Sequence, residues 1–164
     1  MKPIKLSELL AALDFDSPED VGRLDLHEGH FVTVEKWILD ALQAGEQEKF
    51  AGLPQWEVAD MELARAIFAD AGKRYVVGPD PVEFNEYRHA ERFIAMQTDS
   101  AAIDQLGRAI HGRETLRQFK GAAERLGLLK QWIQYRDDAK KKFVVAWADA
   151  RNLPYEDNLP PRQP

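Results

Sequence analysis

The chain of 164 residues contains no cysteine. That absence excludes a disulfide scaffold, thiol catalysis, cysteine-ligated zinc and iron–sulfur clusters, each of which needs sulfur. Long apolar runs are missing too. The opening segment MKPIKLSELLAAL is interrupted by Ser7 and Glu8 and followed by Asp14 and Asp16, so it reads as an amphipathic helix and not as a secretion signal. No window reaches the roughly 18 apolar residues of a membrane span. Cytoplasmic residence and no membrane partner are the expectations. Catalytic motifs are lacking as well: there is no GxSxG, no phosphate-cradling glycine loop, no dinucleotide fingerprint and no HExxH.

What is present describes a globular domain. Hydrophobic residues make up 45% and charged residues 30%, and 22 basic against 28 acidic side chains leave a net charge of −6. Such a balance favours solubility and argues against coating nucleic acid with the whole surface. The charge is uneven. Residues 1–80 carry 8 basic and 16 acidic side chains, whereas residues 88–142 carry 12 and 7.

Spacing predicts an α+β fold, mainly α. Leu6, Leu9, Leu10 and Leu13 mark a first helix, with Ser7 or a neighbour as its cap. Gly22 to Val34 reads as a β-hairpin turning at His27-Glu28-Gly29-His30, and Tyr75-Val76-Val77 as a short strand able to join it. Between them, Glu35–Ala44 is a helix closed by Gly45. Trp56, Ala59, Leu63, Ala66 and Ile67 form the apolar stripe of another, ending near Gly72.

After Asp80-Pro81-Val82-Glu83, which matches a capping box with proline at the first helical position, every element is helical. Phe84, Tyr87, Ala90, Phe93, Ile94 and Met96 face inward on the first of these. Asp99 or Ser100 caps the next, which buries Ile103, Leu106 and Ile110. Leu116, Phe119, Ala123 and Leu126 lead to a stop at Gly127, and the last helix carries Trp132, Phe143 and Trp147. About six helices, the last four forming a bundle, are expected around the hairpin. Residues 1–152 read as a single globular domain, and the proline-rich segment 153–164 as a disordered tail.

The run Ile110-His-Gly-Arg-Glu-Thr-Leu-Arg-Gln-Phe-Lys120, then Trp132 and Tyr135-Arg136-Asp137, resembles a bacterial group, uncharacterised protein family 0158. The likeness extends to Glu86-Tyr87-Arg88, Glu91-Arg92-Phe93 and the hairpin Leu24–Gly29. It implies a shared fold and a bacterial source, and it implies no activity.

Candidate binding residues come from the wheel. Arg113, Arg117, Lys120 and Glu124 share a stripe beside the buried Leu116/Phe119/Ala123 face, with Arg108 and His111 just upstream. Three cations against one acid make an anion-binding strip, or else a solvated edge paired with carboxylates of the same chain. Arg136, beside Trp132 and Tyr135, is placed to clamp a carboxylate such as Glu91 or to line a polar pocket with Tyr87, Arg88 and Glu91. Lys140-Lys141-Lys142 point about 100° apart and form no single patch; Asp137 and Asp138 stand four before Lys141 and Lys142. His27 and His30, with Asp25 and Glu28, lack the spacing of a metal site. No metal and no cofactor are expected.

The leading expectation is a non-catalytic binding or regulatory module that recognises another protein. The alternative is nucleic-acid or phosphorylated-ligand binding at the basic edge Arg108/Arg113/Arg117/Lys120. An enzyme with a pocket around Tyr87, Arg88, Glu91 and Arg136 is the third.

Overall fold

Alternating apolar residues on either side of a glycine turn, followed by runs of helical period, produce a small sheet and a succession of helices. A computed structural model describes residues 1–111 and 114–161. The chain divides into two compact units, Met1–Pro79 with Val144–Pro164, and Asp80–Phe143. The class is α+β and mainly helical, as the spacing predicts. Among the described residues, no helix is long and apolar enough to cross a membrane.

In the first unit, β2 (Asp20–Asp25) pairs antiparallel with β3 (His30–Glu35), Asp25 opposite His30 and Asp20 opposite Glu35. The third strand anticipated at Tyr75 is β4 (Tyr75–Val76), antiparallel to β2, which gives the order β3-β2-β4. Gly29 closes the turn at φ 75, and a Cβ there would lie 2.4 Å from the Pro3 carbonyl oxygen, so the position demands glycine twice over.

Helix α1 (Leu6–Asp14) buries Leu6, Leu9, Ala12 and Leu13. Helix α2 (Lys36–Ala44) ends on Gly45 in the left-handed region, as anticipated. A 3-10 turn over Gln47–Phe50 leads to α3 (Gln55–Asp70), which starts after Pro54. Val34, Ile38, Leu42, Phe50 and Ala64 form the buried cluster here. The stripe expected on α3 is corrected: only Ala64 is fully buried, and Trp56 is 67% exposed.

Two other expectations change in this unit. Ser7 does not cap α1; Lys5 occupies that position without a side-chain bond. The cap arrives from the tail that was expected to be disordered: Tyr155–Glu156 form β5, parallel to β1 (Ile4–Lys5), and Asn158 Oδ1 accepts from the Ser7 backbone N–H at 3.0 Å. Proline content signals an inability to form helix, and it does not forbid an edge pairing.

The second unit begins with α4 (Pro81–Phe84), where Asp80 accepts from Val82 N and Pro81 takes the first position. It stops at Asn85 (φ 54), whose side chain caps α5 (Glu86–Ala95) at Arg88 N. The helix expected to run unbroken through Phe84 is therefore two, because Asn tolerates the left-handed region and caps well. Met96, expected inside, is exposed at the end of α5.

Helix α6 (Ser100–Ile110) is capped by Asp99. Helix α7 (Thr115–Arg125) ends with Leu128 N donating to Ala123 O at 2.7 Å and Gly127 N to Glu124 O at 3.1 Å, the paired bonds of a Schellman ending. Helix α8 (Leu129–Ala150) opens in this unit. Phe93, Phe119 and Trp132 meet edge to face, centroids 5.0 to 6.3 Å apart, in a core completed by Ala90, Leu106, Ile110, Ala122 and Ala123.

Candidate functional site

The basic edge is dispersed in self-pairing. Helix α7 begins at Thr115, so Arg117, Lys120 and Glu124 are the members of the expected stripe that it carries, and Arg113 lies outside the described residues. Arg117 reaches Glu114 at 3.5 Å and Arg108 reaches Asp104 at 3.0 Å, all four side chains largely exposed. Such pairs contribute little and leave each arginine with a carboxylate alongside. Lys120 is half-buried and His111 exposed.

Arg136 does clamp a carboxylate, and the carboxylate is Glu86 instead of Glu91. Its guanidinium lies 3.8 Å from Glu86 and 3.2 Å from Asp137, with only 19% of the side chain exposed. Glu91 and Arg88 point to solvent, while Tyr87 packs partly buried against the aromatic core. The carboxylate partner differs because Asn85 restarts the helix, which brings Glu86 into its first turn.

One residue further round α5 lies a cleft of about 460 Å³, in the range of small-molecule sites. Helix α5 supplies His89 and Arg92, three apart and so on one face. The facing stripe of α8 is Tyr135, Asp138, Ala139 and Lys142, at i, i+3, i+4 and i+7, with Phe143 beside it. Reading Lys140–Lys142 as consecutive surface charges hid this stripe. The signal that finds it is a polar and aromatic repeat at helical spacing opposite His89 and Arg92.

The cleft's electrostatics follow from its lining. Arg92 and Lys142 carry two positive charges against the single carboxylate of Asp138. His89 lies stacked on Phe84, centroids 4.5 Å apart and planes 20° apart, and Phe84 meets Phe143 edge-on at 5.5 Å. Burial against these rings lowers the imidazole pKa below its ordinary value, and the positive charges of Arg92 and Arg88 lower it further, against a hydrogen bond to the Phe84 backbone. His89 is therefore neutral at pH 7. With one ring nitrogen engaged by a backbone carbonyl, the other is an acceptor.

Elsewhere the polar clusters are occupied structurally. Asp25, 3% exposed, takes both forks of Arg74 at 2.8 Å and accepts from the backbone N–H groups of His27 and Glu28, so the hairpin histidines flank a carboxylate already in use. Among the described residues, no group of three or more His, Asp or Glu is arranged to hold a metal ion.

Comparison of the chain with protein-family models, with curated proteins and with solved structures returns no match.

Proposed function

We propose that the chain is a non-catalytic binding module of the bacterial cytosol, related to family 0158 through the motifs quoted above. Its recognition site is the α5/α8 cleft, which takes the anionic group of a ligand. The observation that carries this reading is that the cleft's lining sets two cations, Arg92 on α5 and Lys142 on α8, against the single carboxylate of Asp138. Two cations with one carboxylate between aromatic walls suit a phosphate or carboxylate. The basic edge at Arg108 and Arg117, already matched by Asp104 and Glu114, is the poorer anion site.

Titration with inorganic phosphate, followed by amide NMR shifts, tests the reading. Shifts concentrated at residues 88–93 and 135–143, and abolished in the Arg92→Ala/Lys142→Ala variant, are expected. Shifts centred on Arg108 and Arg117 move the site to the edge, and none at all overturns the proposal.

A second reading is recognition of another protein, with Trp56 as the anchor. Exposed tryptophan is the residue type that interfaces most often use as a hot spot, and its helix α3 is acidic. The reading ranks second because the other exposed aromatic of α3, Phe68, lies twelve residues on. That spacing sets the two about 120° apart around the helix, flanking the buried stripe and not sharing one patch.

A further inference from the structure

We infer that α3 is the docking face for an amphipathic helix of another protein with basic flanks, an inference that rests on the second reading above and names its partner's chemistry. Trp56, Ala59, Leu63 and Ala66 follow one another at steps of three, four and three, the spacing that lays an apolar seam along one side of a helix for a second helix to meet. The seam faces outward. Trp56 is 67% exposed, Ala59 and Ala66 are exposed, and Leu63 is half-buried. Packing of α3 against its own unit is made on another side, by Ala64 with Met61 and Ile67, and Leu63 borders both. A helix apolar on two sides is ordinarily covered on both. Among the described residues, α3 is covered on one.

The flanks of the seam decide what covers it. Asp60 lies on one flank and Glu62 on the other, four residues after Trp56 and three after Ala59. Arg65, the one basic residue of α3, is turned away: its guanidinium donates to Gln47 Oε1 at 3.2 Å and lies 5.9 Å over the Phe50 ring. Asp20 and Glu35, opposite one another in the β2/β3 register, add negative charge beside Asp60; after burial itself, they push its carboxyl pKa up. A lysine or arginine brought by a partner relieves that like charge, next to an indole face that also attracts cations. Two copies of α3 would instead bring acidic flanks together, and a nucleic acid or an anionic lipid surface meets the same repulsion. Ala59 and Ala66 leave room beside Trp56 and Leu63 for large apolar side chains. The ten residues from Trp56 to Ala66 span about 15 Å, roughly three turns of a partner helix.

The test is fluorescence anisotropy of labelled synthetic peptides titrated with the full chain, each peptide about three heptads of the same leucine seam with lysine, glutamate or glutamine on both flanks. The lysine peptide is expected to bind about tenfold or more tightly than the glutamate peptide. Trp56→Ala should weaken it about tenfold with an unchanged circular dichroism spectrum, because the ring is mostly exposed. Glu62→Lys and Asp60→Asn should each narrow the preference for lysine over glutamate. Glu83→Lys, the same charge change at an exposed position on α4, should leave that preference within about twofold of wild type. Glu62→Lys and Glu83→Lys acting alike would show attraction by net charge alone and overturn the assignment. Equal binding of the three peptides, with a loss in Trp56→Ala, overturns the basic partner and leaves Trp56-anchored recognition standing. Binding unmoved by Trp56→Ala, or no binding, overturns both. Wild-type dimers in sedimentation velocity that Trp56→Ala dissolves would give the face to a second copy and overturn the basic partner.

Discussion

The amide of Asn158 closes on Ser7 across 151 residues of chain: its Oδ1 accepts from the Ser7 N–H at 3.0 Å and its Nδ2 donates to the Ser7 hydroxyl at 2.8 Å. An early backbone N–H of α1 thus finds its acceptor on the far end of the chain, where Ile4 N also donates to Pro154 O at 2.9 Å. Asn158→Ala is expected to destabilise the first unit by about 1 kcal/mol, the usual cost of a lost cap. Urea unfolding of the variant against wild type measures it, and no change in midpoint would show that water replaces the cap.

Asp25 anchors the hairpin of the same unit. Its carboxyl is held below the ordinary range chiefly by the Arg74 guanidinium, then by the backbone N–H groups of Glu28 and His27, against the opposing effect of burial. A depressed carboxyl pKa stabilises the fold above the unfolded value near 4, and that stabilisation is lost as pH falls through the folded value. Asp25→Asn should lower stability at pH 7 by roughly 2 kcal/mol and should flatten the acid limb of the stability profile below about pH 4. An acid limb as steep as that of wild type would contradict the assignment.

Most of the fold was legible in the sequence because its signals are local. The αL glycines at 45 and 127, the Asp80 and Asp99 caps and the hairpin turn each declare themselves within a few residues. What escaped depends on distance or on a competing local choice. Asn85 splits a continuous apolar stripe by adopting φ 54, and no periodicity reveals that. The β1–β5 pairing joins residues 151 apart (Ile4 to Tyr155), and Trp56 has helical spacing with nothing packed over it. The site was half legible. Tyr87, Arg88, Glu91 and Arg136 fall on the correct two helices, yet Arg88, Glu91 and Arg136 are each one residue, and Tyr87 two, from the residues that line the cleft: His89 and Arg92 on α5, and the Tyr135 stripe on α8. Helical phase, more than residue type, decides which side chain enters a groove.

His89 connects the cleft to pH. Its lowered pKa means that the unfolded chain takes up a proton, as pH falls below about 6.5, before the folded one does. Stability therefore drops with decreasing pH from that point and levels off below the folded value. His89→Gln should remove this component, so that its profile between pH 7 and pH 5 lies flatter than that of wild type. Thermal unfolding across that interval checks it, and parallel profiles would show that His89 titrates alike in both states.

On the exposed edge, Arg108→Ala and Arg117→Ala should each change stability by no more than about 0.5 kcal/mol, because their partners Asp104 and Glu114 are as exposed as they are. Larger losses in denaturant unfolding would indicate that these pairs do more than solvate the helices.

The most direct test compares two double variants of matched charge in one phosphate titration: Arg92→Ala/Lys142→Ala, which empties the cleft of cations, and Arg108→Ala/Arg117→Ala, which empties the edge. Both lose two positive charges, so a difference between them reports place and not net charge. The account predicts that the cleft variant loses binding while the edge variant stays within about twofold of wild type, a difference under 0.5 kcal/mol. The reverse order, with the cleft variant binding normally and the edge variant silent, would contradict it.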